Sequence, residues 1–334
     1  MRRLILTAFT VALPVVAISA AATGYHITGE IVVGGEGGWD YLTVDSAARR
    51  LYVSHQSHVV VVDVDANKVV GDITDTPGVH GIAVASDLGK GFVSNGRGNN
   101  VTVFDLKTLK AAPAKVATGE NPDSIRYDAV SKRVFAFNGR SKSATAIDAV
   151  KDAVVATIPL PGKPEFSVAD GKGRVFVNIE DTNEIVELDA VKAAVVKKYA
   201  LTGCEEPSGL AIDSKTRRLF SVCSNRVMAI SDPDAGKVIA TAPIGAGSDG
   251  VVFDPGPGYA MSSNGDGTLT VVAQNGGKWE VVENIATEAR ARTIALDDKT
   301  HKVYLPTAKT GQAPAGGGRA TFLPNSFKVL VVGK

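Results

Sequence analysis

The stretch SGLAIDSKTRRLFSVCSNRVMAISDPDAGKVIATA, residues 208–242, contains four short β-type runs separated by polar turns. Apolar residues recur within these runs, as they do in partly buried strands. The turns are rich in Lys, Arg, Ser, Asp, Pro and Gly, which favour reversal of the chain. The stretch shows no sustained 3.6-residue helical period, and β-branched residues are frequent in it. It therefore predicts one four-stranded antiparallel unit.

The first run, SGLAID, has counterparts along the whole chain. They are DYLTVD (40–45), HGIAVA (80–85), DSIRYD (123–128), EFSVAD (165–170), DGVVFD (249–254) and RTIALD (292–297). Their last residues are 40 to 43 residues apart, and their third and fifth positions are apolar except at Ser167. An aromatic residue follows each hexapeptide, giving the column Tyr52, Phe92, Phe135, Phe176, Phe220, Tyr259 and Tyr304.

A four-stranded unit with this period is the signature of a β-propeller blade. The sequence thus predicts an all-β, seven-bladed propeller with blades starting near residues 39, 79, 122, 164, 207, 248 and 291. The seventh unit lacks a fourth strand, and HITGEIVV (26–33) is left over at the other end. We expect this N-terminal strand to pair into the last blade and close the ring, which removes exposed sheet edges.

The first 22 residues have the composition of an export signal. Arg2 and Arg3 precede an apolar run over 4–18, and small residues at 19–22 offer a cleavage site. We predict a signal peptide at 1–22, a mature propeller at 23–334, and a periplasmic or secreted location. The apolar run is short for a bilayer, and an uncleaved membrane anchor is the alternative. No later segment has the composition of a membrane span.

The chain has two cysteines, Cys204 and Cys223. Both lie in the mature part, where an oxidising compartment favours a disulfide. We expect one bridge between them, with two separate buried thiols as the alternative.

Two runs, LYVSHQSHVVVVDVDANKVV (51–70) and GFVSNGRGNNVTVFDLKT (91–108), resemble the YVTN-repeat, or YncE-like, propeller family. The segment PNSFKVLVV (324–332) is similar to that family as well. The resemblance covers essentially the mature chain and implies a seven-bladed periplasmic propeller. It implies no catalytic residue, because the tetrapeptide that names the family is present only as YVSH, FVSN and FAFN.

Candidate site residues come from the loops that enter the first strand and leave the second strand of each blade. In a propeller these loops gather at one mouth of the central channel. The entry positions are all polar: Asp40, His80, Asp123, Glu165, Ser208, Asp249 and Arg292. The exit positions include His55, Asn95 and Asn138. Such a ring can bind a cation, a sugar or another polar ligand. The alternative is that these residues cap strand ends in water.

The residues at this mouth are also compatible with metal binding and with catalysis. His55, His80 and Asp40 are ligand types for a divalent metal, the one cofactor indicated, since nucleotide, haem and flavin motifs are absent from the sequence. His55, His80 and Glu165 are the catalytic candidates of a lyase or lactone hydrolase. The segment 307–326 interrupts the repeat, and its Phe322 and Leu323 would either cover the mouth as a lid or belong to an exposed loop.

The charge balance limits the classes of binding partner that the sequence favours. Lys and Arg total 36 and Asp and Glu total 35, for a formal net charge of +1. Nucleic-acid binding needs a dense excess of cations, so it is the weakest interpretation and would rest on the arginines of this face alone. We predict a monomeric binding module for a small polar ligand or a cell-envelope protein, with a propeller enzyme as the alternative.

Overall fold

The computed structural model describes residues 23–312 and 320–334. They form seven separate four-stranded antiparallel sheets, which confirms the predicted seven-bladed propeller. The predicted signal peptide lies outside the described residues, and so does the stretch 313–319 of the irregular segment. No helix within 23–312 or 320–334 has the length and hydrophobicity needed to cross a bilayer.

The strands, numbered in chain order, have the following bounds. β1 is His26–Val32. Blades 1 and 2 contain β2–β9: Leu42–Asp45, Arg50–His55, His58–Asp63, Lys68–Ile73, Val79–Ala85, Lys90–Asn95, Asn100–Asp105 and Val116–Ala117. Blades 3 and 4 contain β10–β17: Pro122–Asp128, Arg133–Asn138, Ser143–Asp148, Ala153–Pro159, Pro164–Ala169, Arg174–Ile179, Glu184–Asp189 and Ala194–Ala200. Blades 5 and 6 contain β18–β25: Pro207–Asp213, Arg218–Cys223, Val227–Asp232, Lys237–Pro243, Ser248–Asp254, Tyr259–Asn264, Thr268–Asn275 and Lys278–Ala286. Blade 7 adds β26–β28: Ala295–Asp297, Lys302–Thr307 and Lys328–Gly333. Single 3₁₀ turns occur at Ser86–Leu88 and Glu180–Thr182.

Ring closure follows the sequence prediction. In blade 7 the strand order is β1-β28-β27-β26, so the N-terminal strand forms the outer edge. Its register places Ile31 opposite Val329 and Val32 opposite Lys328. Ile31 and Val329 are buried in one apolar cluster with Leu51 of blade 1. The N-terminal strand therefore completes the last blade and contributes to its packing on the first.

The hydrophobic core lies between neighbouring blades, and the aromatic column fills most of it. Six of its seven members are fully buried: Tyr52, Phe92, Phe135, Phe176, Phe220 and Tyr304. Blade 6 differs, because its third β23 residue is Met261, which is fully buried and pairs with Val252 as Tyr52 pairs with Thr43 in blade 1. Tyr259 instead starts β23 and is half-buried. Met261 therefore replaces the aromatic residue, and the sequence alignment of blade 6 was wrong by two residues.

Blade 2 has an abbreviated outer strand. β9 is only Val116–Ala117, and before it Phe104 and Ala111 form an isolated bridge. Pro113 lies between these two pairings. Because proline has no backbone N–H, it cannot donate to a strand ladder, and the outer strand is interrupted there.

The closing aspartates of the hexapeptides link blades on the face opposite the candidate mouth. Nη1 of Arg217 in blade 5 lies 2.7 Å from the Oδ2 atom of Asp170 in blade 4. His301 of blade 7 contacts Asp254 of blade 6 at 2.8 Å. The aspartates also accept hydrogen bonds from the turn that follows them, as Asp128 does from Ser131 N. We infer that these aspartates have a structural role.

The two cysteines are bonded to each other, with Cys204 and Cys223 forming a disulfide of S–S distance 2.02 Å. Cys223 ends β19, and Cys204 lies in the loop that enters blade 5. The bridge ties two connecting segments of one blade together. Both residues are buried, so the bond is protected inside the protein.

Candidate functional site

The seven entry residues are called the mouth ring here: Asp40, His80, Asp123, Glu165, Ser208, Asp249 and Arg292. Five of them are the second residues of innermost strands, and Asp40 and Arg292 stand just before β2 and β26. Neighbouring strand ends are held together by hydrogen bonds between blades. Thr293 of blade 7 donates to the Asp40 carbonyl at 2.8 Å, and Tyr41 N of blade 1 donates to the His80 carbonyl at 3.3 Å. Rigid strands thus position the ring.

His80 lies between two carboxylates from neighbouring blades. Its Nδ1 atom is 2.5 Å from Asp40 Oδ2 and 3.6 Å from Asp123 Oδ1. Burial disfavours the charged imidazole, but the hydrogen bond to Asp40 and the charge of Asp123 outweigh it and raise the pKa of His80 to about 9. At neutral pH the ring is therefore protonated and donates to Asp40. In this form His80 cannot accept a proton.

Asp123 carries the least satisfied group of the ring. It is 9% exposed, and its Oδ1 atom is buried without a hydrogen-bond partner among the described residues. Burial, assisted by the charges of Asp40 and Asp249 and opposed by His80, raises the pKa of Asp123 to about 7. An unpaired buried oxygen costs about 1–3 kcal/mol. A ligand that donates a hydrogen bond here would recover that free energy.

Glu165 is joined to a residue that the sequence analysis missed. Its Oε1 atom is 2.6 Å from Nζ of Lys163, which also contacts Glu180. Burial, followed by the charge of Asp123, raises the pKa of Glu165 to about 8, although Lys163 opposes the shift. Burial thus favours the acid form of Glu165, which can donate a hydrogen bond, whereas the contact with Lys163 favours the carboxylate. Lys163 precedes Glu165 by two residues, and this alternation was the only available signal.

The opposite part of the ring is an ion pair. Nη1 of Arg292 lies 3.1 Å from Oδ2 of Asp249. Burial raises the pKa of Asp249 to about 6, and Arg292 limits the shift. At neutral pH this pair therefore presents a charged donor and a charged acceptor.

Two aromatic residues plug the channel beneath the ring. Tyr41 of blade 1 reaches across to blade 4, where its hydroxyl lies 3.4 Å from Glu165 Oε2 and its ring meets Phe166 edge-on with centroids 4.8 Å apart. At the equivalent second hexapeptide position the other blades have small residues, and a Cβ on Gly209 would lie 2.9 Å from the Gly250 backbone. Because neighbouring innermost strands approach each other this closely, the side chains of Tyr41 and Phe166 have room only in the central channel. The plug separates the mouth ring from the rest of the channel.

His55, predicted as a metal ligand and catalytic candidate, does not belong to the group around His80. Its ring stacks on Phe327 of blade 7 with centroids 4.4 Å apart, and the residue is 2% exposed. Burial, with the neighbouring His58 adding to it, lowers the pKa of His55 to about 4. The metal-ligand set that the structure does bring together is Asp40, His80 and Asp123, with ligand atoms within 4.8 Å of one another. Asp123 thus takes the place predicted for His55.

Asn95 and Asn138, predicted as ligand-binding residues, are fully buried inside their blades. Nδ2 of Asn95 donates to Thr102, and Nδ2 of Asn138 donates to Thr145. Asn264 makes the equivalent bond to Thr270 in blade 6, a match hidden by the two-residue error there. These asparagines fasten the second strand to the third, so they do not line the open mouth.

Part of the irregular segment contacts the side of the mouth. Phe322 packs against Trp39 at 4.8 Å between centroids, and the guanidinium of Arg290 lies 5.7 Å from the Phe322 ring. With Arg292 they line a hollow of about 370 Å³. Leu323 is 43% exposed. In the described part of the segment, therefore, Phe322 packs on Trp39 beside the ring while Leu323 faces solvent.

Comparison with known proteins identifies the class. Hydrazine synthase of Kuenenia stuttgartiensis is similar in structure, with a TM-score of 0.69, 17% identity, and coverage of 84% of this chain and 95% of that chain. U3-55K matches with a TM-score of 0.74 and 8% identity over 92% of this chain and 98% of that one. The WD40 repeats of RRP9 match equally well, with a TM-score of 0.74 and 8% identity over 94% and 99%. No protein-family model matches the sequence, and no curated protein is similar to it in sequence.

At these identities the likeness shows the fold alone. The chain is a seven-bladed β-propeller, an architecture whose rigid strands present loops on two faces.

Proposed function

We propose that this propeller is a binding module whose mouth ring holds a small polar ligand. The observation that carries the proposal is the Oδ1 atom of Asp123, which is buried and has no hydrogen-bond partner among the described residues. Other buried atoms, such as Asn95 Oδ1 and Asn138 Oδ1, are also unpaired, but Asp123 is the one member of the mouth ring, whose seven residues are all described, with such an atom. A ligand hydroxyl or amine that donates to Asp123 would complete the site.

The charges of the site favour a neutral ligand rich in hydroxyl groups. His80, Lys163 and Arg292 offer charged donors, while Asp40, Asp123 and Asp249 offer acceptors. Because these charges largely cancel, the ring has no strong net attraction for an ion of either sign. A polyol or sugar can donate to the carboxylates and accept from the cations with neighbouring hydroxyls.

The test is calorimetric titration of the mature protein with glucose, myo-inositol and glycerol, with spermidine as a cationic comparison. We expect a polyol to bind and D123N to weaken its binding about tenfold, the loss of roughly 1.4 kcal/mol. The matched control is D75N, since Asp75 is an exposed acid paired with Lys115. The proposal fails if spermidine binds better than every polyol, or if D75N weakens polyol binding as much as D123N.

A metal-assisted enzyme is the second candidate, favoured by the convergence of Asp40, His80 and Asp123. One imidazole and two carboxylates are ordinary zinc ligands, and a fourth position would be left for water. The metal would have to displace the His80 proton, so its affinity should rise with pH. Elemental mass spectrometry of protein purified without a His tag or chelator tests this. Near-stoichiometric zinc that is lost in H80A would support the candidate, and protein without bound metal would count against it.

We also propose export to the periplasm through cleavage of residues 1–22, and membership of the YVTN-repeat family. The disulfide between Cys204 and Cys223 supports an oxidising compartment, and the runs at 51–70 and 91–108 support the family. Intact mass measurement after bacterial expression with the native leader tests export. The expected product starts at Thr23, and a product of full length recovered from membranes would contradict it.

A further inference from the structure

On the other side of the Tyr41–Phe166 plug lies a second cavity, called the lower chamber here. It has a volume of about 260 Å³, and the innermost strands of all seven blades contribute to its walls. Apolar side chains dominate those walls, among them Val44, Val168, Leu210, Ile212, Phe253 and Leu296. A neighbouring hollow of about 540 Å³ shares Val44 and Ile82 with it and is also lined by Asp298 and Lys299. The chamber therefore extends toward the face opposite the mouth ring.

One charged side chain, Arg126 of β10, lines both hollows. Its Nε and Nη2 atoms donate to the Ser167 carbonyl at 3.0 and 2.7 Å, and its guanidinium carbon lies 5.4 Å from the centroid of Phe166. These contacts hold the guanidinium against the underside of the plug. The two hydrogen bonds use only the Nε–Nη2 edge of the guanidinium.

Arg126 forms no ion pair with the described residues. Within residues 23–312 and 320–334, no carboxylate oxygen lies within 4.0 Å of its nitrogens. Arg217 at another blade boundary differs, because it is paired with Asp170. Burial lowers the pKa of Arg126 to about 10, so the side chain remains protonated at neutral pH. Arg126 is half-buried, and a partly desolvated cation without an ion-pair partner is costly.

The geometry points to an anion-binding site: we propose that the lower chamber binds a small organic carboxylate with an apolar body. Nη1 has no hydrogen-bond partner in the described part of the chain, and Nη2 uses one of its two hydrogens on Ser167. Together they form an edge that can hold both carboxylate oxygens. The apolar body of the ligand would lie against the aliphatic walls, where its burial adds to affinity. This site lies across the plug from the mouth ring and is independent of it.

The test is calorimetric titration of the mature protein with octanoate, 1-octanol, benzoate and inorganic phosphate. Octanoate or benzoate should bind, 1-octanol should bind at least about tenfold more weakly than octanoate, and phosphate should compete poorly. R126M should reduce octanoate affinity at least about tenfold, because Met keeps an apolar side chain but removes the charge. The matched control is R140M, since Arg140 is an exposed arginine of the same blade.

Circular dichroism and thermal unfolding establish whether R126M folds. If it does not, the comparison of octanoate with 1-octanol on the wild-type protein decides the matter, because it needs no variant. Equal binding of these two probes, full binding of octanoate by R126M, or phosphate competing as well as octanoate would each overturn the proposal. So would a wild-type protein that binds neither carboxylate.

Discussion

Nη1 of Arg49 in blade 1 lies 2.7 Å from Oδ2 of Asp297 in blade 7, across the boundary where the ring closes. The Asp297 side chain is completely buried, whereas that of Arg49 is 17% exposed. Arg49 also pairs with Asp65 of its own blade. This arginine therefore connects the first blade to the last, in addition to the strand that completes the ring.

We predict that R49M destabilises the protein by about 2–4 kcal/mol, because it leaves the buried Asp297 carboxylate without its cation. Urea unfolding at pH 7 measures the change, and R140M on the exposed surface should have an effect within about 0.5 kcal/mol. An R49M protein as stable as R140M would mean that the bonds of Asp297 to its own turn are sufficient.

His55 makes stability depend on pH in the acid range. Its pKa of about 4 in the folded protein is below the unfolded value of about 6.5, so the unfolded chain binds the proton first. Stability should fall as pH drops from about 6.5 to 4, by about 2 kcal/mol at pH 5, and H55F should lose this component. Unfolding at pH 8 and pH 5 measures it, with H26F as the exposed control. A histidine resonance of His55 titrating near 6.5 would falsify the assignment.

His80 should behave in the opposite way. Its pKa of about 9 depends largely on Asp40, so D40N should lower it by at least one pH unit, because the neutral amide stabilises the imidazolium less. The stability contributed by protonated His80 is present in full below about pH 6.5 and is lost as pH rises through about 9. NMR titration of the histidine ring protons measures the pKa of His80 in the wild-type protein and in D40N. An unchanged His80 titration in D40N would show that Asp123 alone holds the charge.

Met261 provides a test of the blade 6 alignment. It is fully buried at the position that is aromatic in the other blades. We expect M261A to cost about 2–5 kcal/mol through the cavity it creates, and M261L, which keeps the volume, to cost less than about 1.5 kcal/mol. Denaturant unfolding compares the two. A mild M261A phenotype would return the core position to Tyr259.

The ring architecture could be predicted because each blade repeats the same local pattern. The remaining strand at 26–33 could pair only with the seventh blade, which lacked a fourth strand. The error in blade 6 arose because the aromatic residue, rather than the distance from the closing aspartate, defined the column. Strand β23 starts five residues after Asp254, as β19 does after Asp213. The core residue is the third residue of each of these strands, so the distance from the closing aspartate identifies Met261 in β23 as the equivalent of Phe220 in β19.

The composition of the mouth ring was also available from the sequence, but its pairing was not. Periodicity places Asp40, His80 and Asp123 at one end of the channel, yet it says nothing of the side-chain direction that brings Asp123, rather than His55, to His80. The plug left a signal that was overlooked. Tyr41 and Phe166 occupy a hexapeptide position that is Gly, Ser or Thr in the other five blades, and large residues there must project into the channel.

The pairing of β1 with β28 has a consequence for the order of events during synthesis. A ribosome delivers residues 26–32 before the seven blades and residues 328–333 after six of them, so most blades can assemble while the ring is still open. Until the final strand emerges, β1 has no partner and the incomplete array keeps free sheet edges that can pair with other chains. Closure of the ring therefore cannot precede the synthesis of β28. A chain that ended before residue 328 would lack β28, the strand that joins β1 to β27, and should aggregate rather than form a smaller propeller.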